Sequence, residues 1–295
     1  MTPAAGESGP AAAAPTAWPA PAKLNLFLHL TGRRADGYHE LQTLFQLIDL
    51  CDTVTIAVRE DGRIERPLGL KTVAAEADLT VRAAQALKSA TASRLGASLR
   101  VAKRIPPGGG LGGGSSDAAT TLLALNELWD CGLSVEDLCA LALPLGADVP
   151  VFVRGFSAWA EGVGERLTPV ALPEKWYMII DPGVAVSTRE VFQSPELTRN
   201  SPVITIRAFF DSGGRNDCEP VVRSRVPAVA QALEWLERLA PARLTGTGAC
   251  VFTACDTASD AERLAARVPD RWRSFVARGL NTSPVHLLLA QGRRA

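Results

Sequence analysis

The sequence predicts an α+β fold in both halves of the chain, on three observations. Apolar residues recur at period two in some segments and at helical spacing in others. Those segments follow no repeating β-α order, which argues against a parallel, doubly wound sheet. Hydrophobic residues make up 47% and charged residues 21% of the 295 positions, enough to bury a core.

The elements follow in order. The first 21 residues are Ala/Pro-rich and hold no Lys or Arg, so they fit neither a secretory signal nor a transit peptide and are expected to be a disordered extension. Leu24, Leu26, Leu28 and Leu30 alternate with Asn25, Phe27 and His29, a strand that puts Lys23 on the Asn25 face. A polar loop follows at 31–37, then a strand through Val54, Ile56 and Val58. Residues 78–87 have helical spacing, and residues 98–105 read as a strand that ends at Pro106-Pro107. Residues 115–129 are helical, and Ser134 with Asp137 forms a capping box for another helix. A turn at 145–150 leads to an expected strand at 151–153, then a hairpin around Gly162 and Gly164. Residues 169–173 mark a boundary between domains expected at 22–170 and 171–295. Beyond it come a strand (176–180), a short helix (188–192), a helical region (217–239), a strand (249–254), a helix (258–268) and a strand (275–277).

Charge and composition exclude some functions. Lys+Arg is 31 and Asp+Glu is 31, without the basic excess of a broad nucleic-acid surface. No apolar run approaches the roughly 20 residues of a membrane span. The six cysteines contain no C-x-x-C pair and there are three His, so a zinc site is not expected and a reducing cytoplasm is. No residue is assigned as a metal ligand.

Six of the seven residues from Gly108 to Gly114 are glycine. Such a loop lets backbone N–H groups approach an anion, and a helix follows at once with its free N–H groups and dipole. Strand, glycine loop and helix together make a phosphate cradle. It is neither a Walker loop, since Ser115, Ser116 and Asp117 follow Gly114 without a lysine, nor a persuasive dinucleotide fingerprint. Asp148 lies in a turn and is either a turn-stabilising carboxylate or a base for a hydroxyl nucleophile. Lys23 is one of only five lysines. It is either a solvated strand-end cation or a group that stabilises charge near a transferred phosphate or lowers the pKa of Asp148. Asn25 shares its face. Tyr38 and His39 are loop residues that either pack locally or stack on and hydrogen-bond a base. A second glycine turn, 245–250, contains Thr247 and Gly248.

In order along the chain, these segments resemble the GHMP kinase superfamily: Pro21-Ala22-Lys23-Leu24-Asn25-Leu26, Ala35-Asp36-Gly37-Tyr38-His39, Pro107-Gly108-Gly109-Gly110-Leu111-Gly112-Gly113-Gly114-Ser115-Ser116, Leu145-Gly146-Ala147-Asp148-Val149-Pro150, Asn216-Asp217-Cys218-Glu219 and Thr245-Gly246-Thr247-Gly248-Ala249-Cys250. The resemblance implies two α+β domains, an N-terminal ATP-binding one and a ferredoxin-like C-terminal one, with the active site in the cleft between them. It implies phosphoryl transfer from ATP to a hydroxyl of a small molecule, here a cytidine diphosphate-linked polyol. Homoserine, sugar or mevalonate kinases and a non-catalytic nucleotide binder are the alternatives. Carried over, Lys23 and Asp148 would be catalytic. Lys103 and Pro106, Pro107, Gly108, Gly109, Gly110, Leu111, Gly112, Gly113, Gly114, Ser115 and Ser116 would bind ATP. Asn25, Tyr38, His39, Thr247 and Gly248 would bind the acceptor. Mg2+ would be held mainly by phosphates and water. Asp117 stands where some relatives carry Asn, and residues 59–78, used by family members beside the adenine, look short.

Overall fold

A computed structural model describes residues 14–35, 37–67 and 77–292. Residues 1–13, Asp36, residues 68–76 of the 59–78 region and residues 293–295 lie outside the described residues.

β1 (Thr16–Arg33) and β2 (His39–Arg59) form a long antiparallel pair. β1 starts at Thr16, not at Ala22, so the expected extension is too long. Trp18 and Ala20 are buried in the core. Pro19 and Pro21 are tolerated because this part of β1 pairs on one side only, with β2, where a missing N–H does no harm. A register shift between Asn25 and Leu28 breaks the expected alternation. Phe27 and Leu28 are therefore both buried, while Leu26 is only partly so.

β3 (Ile64–Glu65), α1 (Leu79–Thr91) and β4 (Gly96–Ala102) follow, with Asp78 capping α1 through the Thr80 N–H. α2 (Gly113–Leu128) begins inside the glycine run. α3 (Val135–Ala142) has the expected capping box between Ser134 and Asp137. The expected strand at 151–153 is instead α4 (Val149–Arg154). Pro150 suits the first helical turn, Gly155 closes it at φ +72°, and residues 149–153 are all buried. An apolar run that short carries no period that separates strand from helix. β5 (Ala158–Glu161) and β6 (Arg166–Pro169) make the expected hairpin.

The second half contains β7 (Trp176–Asp181), α5 (Thr188–Gln193), α6 (Ile206–Ser212), α7 (Glu219–Arg225), α8 (Pro227–Glu237), β8 (Arg243–Leu244), β9 (Val251–Cys255), α9 (Ala258–Ala265), β10 (Arg273–Leu280) and α10 (Pro284–Gly292). The expected helical region at 217–239 splits at Val226 (φ −124°, ψ 87°), because Pro227 disfavours a helical residue before it. α6 and α10 were not expected. The four strands of this half stand in the order β10-β7-β9-β8, all antiparallel, with helices between the first and second and the third and fourth. That is the ferredoxin-like arrangement. β10 also pairs with β2, through Gly279 and Leu280, so the two halves share one ten-stranded sheet. A cluster of Ala22, Leu24, Ile48, Ile105, Leu111, Ile179 and Phe252 packs across the junction. Among the described residues no helix is long and apolar enough to cross a membrane. All six cysteines are free.

Candidate active site

Strand β1 delivers Lys23 and Asn25 to a cleft of about 620 Å³ lined by both halves of the chain. Lys23 is 3% exposed, a placement that costs stability unless the ammonium is satisfied. Its Nζ donates to Asn25 Oδ1 (2.5 Å) and to the Gly110 carbonyl (3.0 Å), and pairs with Asp148 Oδ2 at 3.2 Å. The Lys23 backbone N–H donates to the Leu111 carbonyl at 3.0 Å. Asp148 occupies the N-cap position of α4 but makes no capping bond. Its side chain is 36% exposed, so one face of the carboxylate meets Lys23 and the rest meets the cleft. Asn25 is held by Thr43 Oγ1, which accepts from its Nδ2 at 2.9 Å, and by Thr245 Oγ1, which accepts from its backbone N–H at 3.0 Å.

The glycine loop lies against the second glycine turn. Gly108 and Gly109 carbonyls accept from the N–H groups of Ala249 and Cys250, each at 3.1 Å. Two positions require glycine. Gly110 (φ +75°) faces the Thr245 carbonyl, which a Cβ would overlap, and at Gly112 (φ +72°) a Cβ would meet the Phe152 ring at 2.9 Å and Lys23 Cε at 3.2 Å. Residues 106–115 line the cleft, with the unpaired N–H groups of the first turn of α2 among them. Leu111 turns its side chain into the core, 1% exposed, and anchors the loop. Ser116 sits behind the loop, fully buried, with its Oγ unpartnered.

Lys103 lies between two carboxylates. It donates to Asp52 and, at 2.8 Å, to Asp117. Asp52 is fully buried and also accepts from the N–H groups of Arg104 (2.6 Å) and Ile105 (2.9 Å), fixing the chain that enters the glycine loop. Burial pushes the Asp117 carboxyl up to about 7, only partly opposed by Lys103, because Asp52 competes for the same cation. Burial opposes the charge on Lys103, yet Asp117 and Asp52 outweigh it and hold Lys103 above its usual value. The Asp117 Oδ1 atom has no partner.

Thr247 lines the far wall, its hydroxyl 2.9 Å from that of Thr188. Gly248 stands behind it, closing the turn with an N–H to the Thr245 carbonyl at 2.9 Å. His39 and Tyr38 sit beyond the lining of the main cleft, at the β1–β2 turn. The His39 ring stacks on Phe192, which does line the cleft, at 5.2 Å and 18°. Tyr38 is 63% exposed. Burial lowers the His39 pKa, with Arg199 and Arg33 adding to the effect. Sequence reasoning missed Thr43, Thr188, Phe192 and Arg199. None belongs to a patterned motif; only the fold carries the loop after α5 to the β1–β2 turn.

A family model for the GHMP kinases N terminal domain matches residues 78–156, and one for the GHMP kinases C terminal domain matches 197–274. A 4-diphosphocytidyl-2-C-methyl-D-erythritol kinase of Halorhodospira halophila is 56% identical over 94% of this chain and 97% of its own length. That of Nitrosococcus oceani is 56% identical over 90% of this chain and 95% of its own. A crystal structure of a 4-(cytidine 5'-diphospho)-2C-methyl-D-erythritol kinase superposes with a TM-score of 0.78 at 34% identity, covering 90% of this chain and 99% of that one. A homoserine kinase from Cytophaga hutchinsonii shares the fold, with a TM-score of 0.66 at 16% identity over 91% of this chain and 95% of its own.

Proposed function

The chain belongs to the GHMP kinase family, and on that premise we propose that it transfers the γ-phosphoryl group of ATP to the 2-hydroxyl of 4-diphosphocytidyl-2-C-methyl-D-erythritol. The products are ADP and the 2-phosphate, a step of the non-mevalonate route to isoprenoid precursors. The relatives that share more than half of its residues over nearly its whole length support that substrate.

The observation that carries the mechanism is the Lys23–Asp148 pair at 3.2 Å beside the Gly110 carbonyl. Asp148 accepts the proton of the attacking hydroxyl. The hydroxyl oxygen bonds to the γ-phosphorus as the bond to the bridging oxygen breaks and ADP leaves with that electron pair. Lys23 holds Asp148 in place through the 3.2 Å ion pair, and its fixed charge offsets the negative charge on the transferred group. The glycine loop and the start of α2 receive the polyphosphate on backbone N–H groups, which explains how a chain of zero net charge grips it. Lys103 supports that loop from beneath. Thr247 and Asn25 hold the acceptor near Asp148, with Gly248 shaping the turn that carries Thr247. His39 and Tyr38 contact the cytosine.

Mg2+ enters as the ATP complex. Phosphate oxygens and water would supply most of its ligands. Six free thiols support placement in the cytoplasm.

Mass spectrometry of the products after incubating the protein with Mg-ATP and the cytidyl substrate tests the reading. The expected outcome is a monophosphorylated cytidyl product and ADP. Phosphorylation of homoserine or mevalonate but not of the cytidyl compound would overturn it.

A further inference from the structure

We infer that Arg199 sets the tautomer of His39, so that the imidazole meets the acceptor's pyrimidine neutral, with its proton on Nδ1. The inference rests on the reading of His39 as a pyrimidine contact.

A guanidinium has five N–H donors and no acceptor. Arg199 Nε donates to His39 Nε2 at 3.0 Å, so Nε2 presents a lone pair and the ring proton resides on Nδ1. Arg199 is not free to turn away. Its Nη1 donates to the Leu197 carbonyl (3.0 Å) and its Nη2 to the carbonyls of Phe192 (2.9 Å) and Ser194 (2.6 Å). One side chain thus ties the imidazole edge to the end of α5, whose Phe192 ring covers one imidazole face. Among the described residues His39 Nδ1 makes no hydrogen bond, so its N–H remains available to a ligand.

Protonation of the ring would place an N–H against the guanidinium, donor against donor and charge against charge. The charged groups that bear on His39 are Arg199, from the loop after α5, and Arg33, directly across the β1–β2 register. Glu40, the adjoining acid on β2, is engaged by Arg34 at 3.5 Å. The ring therefore stays neutral into mildly acidic solution. A fixed Nδ1–H donor matches the acceptor atoms N3 and O2 of cytosine. Against uracil only the N3 position is lost, since it carries a hydrogen while O2 still accepts, so Arg199 acts on how the base is held without touching the base.

The test uses 15N-histidine spectra of the full chain, which has three histidines, with His39 assigned by loss of its signals in His39→Gln. Wild type should show protonated Nδ1 and unprotonated Nε2 at His39. Arg199→Met should mix the tautomers and move the His39 titration up toward about 6.5, and Arg199→Lys, which keeps a donor, should restore the pattern. In assays Arg199→Met should raise KM for the cytidyl acceptor about fivefold, the size of one hydrogen bond, with a further rise as pH falls through 6.5. The KM for ATP should stay the same. An Nε2–H tautomer in wild type, or an unchanged tautomer in Arg199→Met, overturns the inference whatever the activity. A correct tautomer with no phosphorylation of the acceptor overturns the functional reading and leaves the tautomer assignment standing. Should Arg199→Met not fold, the wild-type and Arg199→Lys spectra decide.

Discussion

Lys23 holds an ammonium in a nearly closed space, and three oxygens make that tolerable: the Asn25 amide, the Gly110 carbonyl and the Asp148 carboxylate. Two of these are neutral, so Asp148 alone balances the ammonium charge, and a proton taken up by Asp148 would leave the cation's field facing the cleft. Asp148→Ala and Lys23→Ala should each lower kcat by about 10²–10⁴ with an unchanged circular dichroism spectrum; turnover near wild type in a folded variant would remove that residue from the mechanism. Asp117 shows the opposite balance, two carboxylates on one cation. Its folded pKa of about 7 lies above the unfolded value of about 3.9. The folded state therefore holds a proton that the unfolded state has lost between those values. This contribution is complete below pH 4 and is lost as pH rises through 7. Asp117→Asn should leave Tm unchanged near pH 4 and raise it at pH 8, at about 2–4 °C per kcal/mol recovered for a chain of this size. A difference in Tm that is flat across pH would contradict that burial account. Among these residues, Lys23, Lys103 and Asp148 were legible because each stands in a recognisable segment. An interaction of Lys23 with Asp148 was one reading open to the lysine, but its geometry was not legible, since spacing does not set how side chains meet across 100 residues of chain.

At the scale of elements, local chemistry was read correctly wherever it is local in cause. The Ser134–Asp137 capping box and the hairpin around Gly162 depend on neighbours a few residues away. Reading failed where burial from elsewhere decides. α4 is a helix whose buried residues pack against α2 and α3, and the start of β1 is a strand because β2 offers it a ladder. Low-complexity Ala/Pro sequence reads as disorder, yet Trp18 fills a core position beside Val54 and Ile56. Trp18→Ala should therefore cost about 3–5 kcal/mol, measured by denaturant unfolding, whereas a residue in a solvated tail would cost nothing measurable.

Over the whole molecule, one sheet runs through both halves by way of the β2–β10 pairing, and the shared cluster places Leu111 of the glycine loop against Ile179 and Phe252 of the second half. We propose that the halves unfold together: calorimetry should show a single transition, and two resolved transitions would show independent domains. This continuity positions the chemistry. The glycine loop is zipped to the second glycine turn by backbone bonds from Ala249 and Cys250, so the two glycine-rich turns, one from each half, form one edge of the cleft. The amino-acid sequence was enough to identify the family and the α+β class and to mark out the glycine loop before a helix, because these depend on residue type and short-range order: glycine where φ is positive, apolar period, a helix start. The geometry of the Lys23–Asp148 pair, the Asp52–Lys103–Asp117 cluster and the Arg199–His39 contact came from the packed chain alone. Each joins residues tens to hundreds of positions apart, and its energetics arise from burial, which sequence spacing does not encode.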